Sequence, residues 1–265
     1  MLSHVTFGTH DVRRAKAFYE TTLAPLGFGL QTDGRGYFAL STAADRYPWI
    51  YVMKPFDRRP ASWGNGAHLA LLAEDDAAVE RFHETALANG GSDEGAPGLR
   101  EQYSADYYAA YVRDPDGNKL QAVHYRNGRS EAANSSGLSH FTVGSNDLVR
   151  SRDFYAAVLR PLGLVPTEED DEDAVAYGVE GAELPVFYAH LPFDGLPATW
   201  GNGTHAAFLA PNRAAVISFH AAALNAGGSD EGGPGPRPHY SPTYYAAYVR
   251  DPDGNKLQAV CYVGD

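Results

Sequence analysis

Apolar and polar residues alternate at the start of the chain and predict a β-strand there. In the string LSHVTFG, Val5 and Phe7 fall on one face and His4 on the other. An apolar stripe with helical spacing follows. It begins after Asp11, a suitable N-cap, and ends near Leu23. The chain therefore opens with a strand and an amphipathic helix.

The patterns that follow predict further strands and a second helix before residue 126. In chain order, we expect strands near Tyr37–Ser41, Trp49–Met53 and His68–Ala73, a helix over Asp76–Asn89, a Gly/Pro loop over 91–102, and a hairpin of strands Tyr107–Arg113 and Lys119–Tyr125. This order gives the strand–helix–strands pattern twice. We expect the two helices to cover one face of a mostly antiparallel sheet, whose other face curves into a cup.

A second copy of the whole pattern follows the first. The string YYAAYVRDPDGNKLQAV occurs unchanged at 107–123 and 244–260. The two occurrences are offset by 137 residues (244 − 107), far more than the repeats of roughly 20–50 residues that form solenoids. The sequence therefore predicts two tandem α+β domains, 1–125 and 137–265, joined by the polar linker 126–136.

Composition narrows the range of partners. The net charge of −12 lacks the basic patch that a nucleic-acid-binding protein needs. No apolar run approaches the ~20 residues of a membrane span, and the N-terminus lacks a signal-peptide pattern. The one cysteine, Cys261, excludes an internal disulfide. We therefore expect a cytoplasmic protein with a small-molecule partner, as a monomer or a homodimer.

Three polar residues recur in both copies on strands that are otherwise apolar. His4, His68 and Gln121 of the first copy correspond to the following residues of the second: His140, His205 and Gln258. Alternation puts all of them on the cup face, so we expect each trio to converge in one cup per copy. Two imidazoles and an oxygen donor are suitable ligands for Fe, Mn, Ni, Zn or Co. The alternative is that the histidines only form hydrogen bonds on a polar cup wall.

Other repeated side chains are suitable for holding or processing a ligand. The candidates for ligand binding are Trp63, Trp200, Tyr107, Tyr111, Tyr244, Arg100 and Arg237. The aromatic rings suit a flat ligand, and the arginines suit an anionic group. The candidates for proton transfer are His239, Tyr245 and Tyr248, of which His239 occurs only in the second copy.

These segments resemble the vicinal oxygen chelate superfamily, which includes glyoxalase I, bleomycin-resistance proteins and extradiol dioxygenases. The resemblance rests on LSHVTFGTHDVRRAKAFYETTLAPLGF, GNGAHLALLA and YYAAYVRDPDGNKLQAV, and on their second copies. It implies paired βαβββ units that form cups around a metal ion, with the two trios as ligands. The family usually has a glutamate at the third position, whereas this chain has Gln121 and Gln258. An amide is a neutral, weaker donor than a carboxylate and has no useful proton affinity.

The resemblance implies a metal-dependent enzyme of the glyoxalase or dioxygenase type that acts on a small oxygenated molecule. The alternative is a protein that binds a drug or metabolite without turnover, like the bleomycin-resistance proteins. The glutamines and the aromatic residues favour this alternative. The third hypothesis is a folded interaction module without a pocket.

Overall fold

The structure is a computed structural model that describes residues 1–43, 49–128, 137–167 and 172–263. The predicted linker 126–136 lies largely outside the described residues. Family-like βαβββ units occur four times along the chain. Unit 1 consists of β1 (Leu2–Gly8), α1 (Val12–Leu23), β2 (Phe28–Gly34), β3 (Tyr37–Thr42) and β4 (Ile50–Met53). Unit 2 consists of β5 (His68–Leu72), α2 (Asp76–Ala88), β6 (Ser92–Leu99), β7 (Tyr107–Arg113) and β8 (Lys119–Tyr125).

The second copy supplies the other two units with nearly the same bounds. Unit 3 consists of β9 (Leu138–Gly144), α3 (Leu148–Leu159), β10 (Leu164–Pro166), β11 (Ala174–Val179) and β12 (Phe187–His190). Unit 4 consists of β13 (His205–Leu209), α4 (Arg213–Asn225), β14 (Ser229–Pro236), β15 (Tyr245–Arg250) and β16 (Lys256–Cys261). Short 3₁₀ turns follow α1 and α3, each closed by a glycine with positive φ. The predicted α+β class is confirmed.

The prediction of a loop over 91–102 was wrong, because β6 occupies most of it. Its sequence, SDEGAPGL, contains glycine and proline, which weaken a strand signal. The strand lies at the edge of its sheet, where Pro97 needs no partner for its missing N–H. Its pairing with β7 shifts register around Gly95 and Gly98. The strand β2 was also missed by the sequence analysis.

The units pair across the two copies. One curved sheet has the strand order β14-β15-β16-β13-β1-β4-β3-β2, and the other has β10-β11-β12-β9-β5-β8-β7-β6. Unit 1 therefore pairs with unit 4, and unit 2 pairs with unit 3. We call the concave face of the first sheet the outer cup and that of the second sheet the inner cup. The expectation of one cup per copy was wrong, since each cup takes one unit from each copy.

A hydrophobic core joins the convex faces of the two sheets and the helices. Phe7 of β1 contacts Phe141 of β9, with ring centroids 6.4 Å apart. Phe187 of β12 contacts Phe208 of β13 at 5.3 Å. One core therefore packs both sheets against each other and against the helices.

The segment that connects unit 1 to unit 2 meets the segment that connects unit 3 to unit 4 at the WGNG strings. The Asn65 N–H donates to Thr199 Oγ1, and the Asn202 N–H donates to Ser62 Oγ, each at 2.9 Å. At this crossing, a Cβ on Gly144 would lie 2.1 Å from the carbonyl oxygen of Asn65. Glycine is required because the backbones approach so closely. The repeated WGNG string therefore holds together the two connectors at which the units are exchanged.

Candidate functional site

The inner cup brings together His68, His140 and Gln121. Ala70 of β5 is the register partner of Gln121 on one side and of His140 on the other. Side chains in register share a sheet face, and His68 lies two residues before Ala70 on that same face. The imidazole rings of His68 and His140 meet edge to face with centroids 5.6 Å apart.

The outer cup repeats this arrangement with His4, His205 and Gln258. Ala207 of β13 is the register partner of both His4 and Gln258. The rings of His4 and His205 are 5.8 Å apart and also meet edge to face. The prediction that alternation puts these side chains on the concave face holds for both cups. The prediction that His4 groups with His68, and His140 with His205, was wrong, because the units are exchanged.

The glutamine amide is oriented by a tyrosine in each cup, but its oxygen differs between cups. In both cups the amide nitrogen donates to a phenol oxygen, from Gln121 to Tyr107 and from Gln258 to Tyr244. In the outer cup, Gln258 Oε1 lies 3.2 Å from His205 Nε2, within hydrogen-bond range. In the inner cup, the buried Gln121 Oε1 has no hydrogen-bond partner within 3.5 Å among the described residues, although the Gln121 side chain lies close enough to His68 to oppose in part the lowering of the His68 pKa.

Small hydroxyl groups hold the histidines of the inner cup. Ser139 Oγ lies 3.0 Å from His140 Nδ1, and it also contacts the Tyr125 hydroxyl at 3.3 Å. Thr142 Oγ1 lies 3.4 Å from His68 Nε2. Ser3 and Thr6 make the matching contacts in the outer cup. These contacts fix the rings, as the partners of functional histidines commonly do.

Burial keeps the histidines neutral. It lowers the pKa of His4 to about 4 and that of His140 to about 3. For His68, burial and then the nearby charges of His140, Lys119 and His190 hold the pKa well below its ordinary value. Burial likewise lowers the pKa of His205. A neutral imidazole retains the lone pair that a metal ion or a hydrogen-bond donor requires.

The inner cup encloses a cavity of about 520 Å³. Its walls carry the predicted ligand-binding residues Tyr107, Tyr111 and Arg100. The pKa of both tyrosines is raised, mainly by burial, so they are hydroxyl donors at neutral pH. Arg100 also donates to the carbonyl oxygen of Ala96 at 2.6 Å, which ties its side chain to β6. The volume suits a small organic ligand.

The sequence analysis missed several residues that line this cavity. Lys119 and Glu94 form an ion pair at 3.3 Å on the wall, where Glu94 also binds Arg113 at 2.7 Å. Tyr188 and His190 lie two residues apart on β12 and share its concave face. Applying strand alternation to β12, the last strand of unit 3, would have indicated that Tyr188 and His190 share a face.

The outer cup differs from the inner cup at these same strand positions. Met53 of β4 corresponds to His190, and Tyr37 of β3 corresponds to Ala174. Tyr37 approaches Tyr51 closely enough to help raise the pKa of the Tyr51 hydroxyl to about 12, after the larger effect of burial. A tyrosine and a methionine therefore stand in the outer cup where the inner cup has an alanine and a histidine.

Several predicted residues lie outside both cups. The ring of Trp63 stacks on Arg113 at 4.3 Å, and the ring of Trp200 stacks on Arg250 at 4.4 Å, next to the hairpin turns. Tyr245 faces the helix layer, where Arg213 of α4 lies 5.1 Å from its ring. Trp63, Trp200 and Tyr245 do not line the cavity of the inner cup. Side chains alternate along β15, so Tyr245 faces the helices whereas Tyr244 and Tyr248 face the cup.

The remaining candidates belong to the outer cup or its rim. Tyr248 is 6.3 Å from His205, measured between ring centroids. Arg237 stacks on Tyr248 at 5.9 Å and donates to the carbonyl oxygen of Gly233 at 2.9 Å. His239 is exposed and stacks on Tyr240 at 4.2 Å. Tyr244 binds Gln258 as described above.

The inner-cup residues fit a divalent ion as a set of three neutral ligands. Two imidazoles and the unpaired Gln121 oxygen supply lone pairs at one place. Within the described ranges, no group of three or more His, Cys, Asp or Glu side chains is arranged to hold a metal. The three residues include no carboxylate or thiolate, so a bound ion would keep its full positive charge toward the cavity.

Comparisons with known proteins agree with the fold. The model of the Glyoxalase/Bleomycin resistance protein/Dioxygenase superfamily matches residues 1–122 and 137–259. Glyoxalase I from Zea mays is similar over 98% of this chain and 92% of its own, with 19% identity and a TM-score of 0.71. A glyoxalase/bleomycin resistance protein from Albidiferax ferrireducens T118 is 39% identical over 46% of this chain and 96% of its own, with a TM-score of 0.41.

A Mn(II)-bound glyoxalase from Novosphingobium aromaticivorans covers 99% of this chain and 82% of its own, at 14% identity and a TM-score of 0.40. The last two TM-scores fall below the level at which a whole-chain comparison is informative. No curated protein matches the chain. Among the described residues, the helices are too short or too polar to cross a membrane.

Proposed function

We propose that this chain, which belongs to the Glyoxalase/Bleomycin resistance protein/Dioxygenase superfamily, is a metal-dependent enzyme that acts on a small oxygenated molecule in its inner cup. The ligands of the proposed metal ion are His68, His140 and Gln121. The reaction is of the glyoxalase or dioxygenase type. The single cysteine, buried Cys261, agrees with the cytoplasm as the proposed compartment.

The observation that carries this proposal is the unpaired oxygen of Gln121. Buried polar atoms are nearly always paired, so an exception calls for an explanation. This oxygen lies beside two neutral imidazoles on the wall of a 520 Å³ cavity. In the outer cup the same atom is already within hydrogen-bond range of His205. The cavity that His68, Gln121 and His140 line supports the inner cup as the working site.

A bound divalent ion would supply Lewis-acid polarisation of a ligand oxygen. The protein residues would do the rest. The hydroxyl groups of Tyr107 and Tyr111 line the cavity and would bind ligand oxygens, and Arg100 and Lys119 would attract a ligand with negative charge. Gln121 has no basic group, so it cannot take the proton that a glutamate would take at this position.

A protein that binds its ligand without turnover is the second candidate function. The absence of a carboxylate from the proposed ligand set favours it, as does the tyrosine-rich wall. Under this alternative, Gln121 Oε1 and the imidazoles accept hydrogen bonds from hydroxyl groups of the ligand. Tyrosine rings bind flat ligands with or without a metal.

Metal analysis and ligand binding separate the two candidates. The protein is dialysed against Mn²⁺, Fe²⁺, Co²⁺, Ni²⁺ or Zn²⁺ and then against buffer, and retained metal is measured by elemental analysis. Binding of 4-nitrocatechol, a probe with adjacent oxygens, is followed by tryptophan fluorescence with and without chelator. The double variant His68→Ala/His140→Ala is compared with the matched outer-cup variant His4→Ala/His205→Ala.

The enzyme proposal expects nearly one metal ion per chain, lost in the inner-cup variant and kept in the outer-cup variant. Metal-free protein that binds the probe equally well with chelator would favour the binding protein. Retention of both metal and probe by the inner-cup variant would contradict the inner cup as the site.

A further inference from the structure

Two hydroxyl groups connect His140, a proposed metal ligand, to the wall of the inner cup. Ser139 Oγ lies 3.0 Å from His140 Nδ1 and 3.3 Å from the Tyr125 hydroxyl. Ser139 is buried, and Tyr125 is 4% exposed and lines the cavity. The series His140–Ser139–Tyr125, which we call the hydroxyl chain, therefore begins at the proposed metal site and ends at the ligand cavity.

The outer cup contains the same arrangement. Ser3 Oγ lies 3.1 Å from His4 Nδ1 and 2.9 Å from the Tyr262 hydroxyl. The two cups differ elsewhere on their walls, as at Met53 and His190, yet both keep this series of contacts. The outer cup therefore supplies matched control residues for the hydroxyl chain.

Each hydroxyl of the chain has one hydrogen to donate. The Ser139 hydroxyl can donate to His140 Nδ1 or to the Tyr125 oxygen, but not to both at once. Burial lowers the pKa of His140 to about 3, so the ring is neutral and carries one hydrogen, on Nδ1 or on Nε2. A continuous series of hydrogen bonds therefore runs in one of two directions, toward the imidazole or away from it.

Coordination through His140 selects one of these directions. Ser139 occupies the Nδ1 side of the ring, so Nε2 is the nitrogen that can bind an ion, and the ring hydrogen must then lie on Nδ1. Nδ1–H donates to Ser139 Oγ, and the Ser139 hydrogen turns to the Tyr125 oxygen. The Tyr125 hydrogen can then donate to an oxygen atom in the cavity that Tyr125 lines.

A hydroxyl group at position 139 is essential to this arrangement. A carboxylate or a carbonyl group, the more usual partner of a metal-binding histidine, can only accept a hydrogen bond. Such a group would hold the ring of His140, but the series would end there. The Ser139 hydroxyl accepts on one side and donates on the other, so it transmits the state of the ring to Tyr125.

We infer that Ser139 and Tyr125 couple the metal site of the inner cup to its ligand, because Tyr125 donates to a carbonyl or ionised oxygen of the ligand when His140 coordinates through Nε2. This inference rests on the function proposed above. His140 loses the hydrogen of Nε2 and gains one at Nδ1, so the ring stays neutral and the ligand receives no proton. Ser139 is a positioning residue, and the coupling acts equally in both directions.

The test measures how strongly zinc and 4-nitrocatechol enhance each other's binding to the full chain. The dissociation constant of the probe is measured by tryptophan fluorescence with saturating Zn²⁺ and again with chelator, and the ratio of the two constants is the coupling factor. Direct contact between probe and zinc contributes to this factor in every protein, so the comparison between proteins reports on the hydroxyl chain.

The variants remove single hydroxyl groups. They are Ser139→Ala, Tyr125→Phe and the double variant, with the outer-cup controls Ser3→Ala and Tyr262→Phe. Phenylalanine at position 125 keeps the edge-to-face contact with the Tyr107 ring, whose centroid is 5.2 Å away.

We expect the coupling factor to fall about 10-fold in Ser139→Ala and in Tyr125→Phe, which corresponds to the loss of one hydrogen bond to the ligand. The double variant should fall no further, because either substitution already interrupts the series. The outer-cup controls should keep the wild-type factor.

An unchanged factor in either single variant, additive losses in the double variant, or an equal loss in the outer-cup controls would overturn the inference and leave the proposed function intact. Failure of the wild type to bind both zinc and the probe would overturn both.

A second measurement examines the imidazole ring directly. Long-range ¹H–¹⁵N spectra of the zinc-loaded protein report which nitrogen of His140 carries hydrogen, with the signals assigned through His140→Gln. The inference expects hydrogen on Nδ1, exchanging slowly with water in the wild type and faster in Ser139→Ala. Hydrogen on Nε2, or equal exchange in the two proteins, would overturn it, because Ser139 would then receive no hydrogen bond from the ring.

Discussion

The inner and outer cups have the same backbone, the same histidine pair and the same glutamine, yet they differ where a ligand would bind. In the inner cup, Gln121 Oε1 is unpaired and His190 lines a cavity of about 520 Å³. In the outer cup, Gln258 Oε1 lies beside His205, and Met53 replaces His190. The comparison teaches that both cups keep the trio, whereas the walls around the trio differ between them.

The largest effect on stability is expected at Gly144, where β9 packs against the crossing of the two connectors. Gly144→Ala would drive a Cβ to 2.1 Å from the Asn65 carbonyl oxygen and 2.9 Å from the Ala198 side chain. We expect a loss of about 3 kcal/mol in the free energy of unfolding, measured by urea titration. Gly29→Ala, whose Cβ would meet nothing within 4 Å, is the control and should change stability by less than about 1 kcal/mol.

Equal unfolding midpoints for the two glycine variants would refute a close crossing. Gly8→Ala, with a Cβ 2.3 Å from the Asn202 carbonyl oxygen, should behave like Gly144→Ala. A large difference between these two would mean that the exchange is not symmetric.

The next effect concerns the third metal ligand. Gln121→Glu should tighten divalent metal binding about 10-fold, because a carboxylate adds an anionic ligand to two imidazoles. Tyr107 can reverse its hydrogen bond and donate to the new carboxylate. Isothermal titration with Mn²⁺ measures the change. Gln258→Glu is the matched outer-cup variant, and an equal gain there would remove the distinction between the cups.

A smaller effect is expected when the outer cup is given inner-cup residues. The double variant Tyr37→Ala/Met53→His removes a large ring and introduces an imidazole beside Tyr51. We expect 4-nitrocatechol to bind at a second, weaker site, so that the stoichiometry from fluorescence titration rises from about one toward two per chain. An unchanged stoichiometry would show that other residues close the outer cup.

The smallest effect is expected on the helix side of the sheet. Tyr245→Phe removes a hydroxyl that faces α4 and the core edge, so probe affinity and metal content should change less than about twofold. The comparison is Tyr111→Phe, on the inner-cup wall, which should weaken the probe severalfold. A larger loss in Tyr245→Phe than in Tyr111→Phe would reverse the assignment of faces.

The sequence was sufficient to predict the repeated units and which side chains of their first and last strands lie on the concave face. Alternation around His4, His68 and Gln121 identified the concave face, and the N-cap Asp11 and the Gly90 stop bounded the helices well. The strand β6 escaped because edge strands tolerate Pro97 and neighbouring glycines, which resemble a loop.

The pairing of units could not be read from the sequence. The two copies carry nearly the same strand edges, so unit 1 has equally suitable partners in unit 2 and unit 4. The choice depends on the crossing of connectors around Asn65 and Asn202, which involves close backbone contacts rather than a local pattern. For the same reason, the sequence did not indicate that His190 and His68 line the same cavity.

The exchange of units also sets an order of assembly for the nascent chain. The inner sheet combines units 2 and 3, which follow each other directly, and its last strand ends at His190. The outer sheet pairs β1 with β13, so this edge of the first strand must wait for His205–Leu209. Pairing between segments so distant is entropically slow. On the ribosome, the proposed active half of the molecule should therefore be complete while the N-terminal strand still lacks its partner.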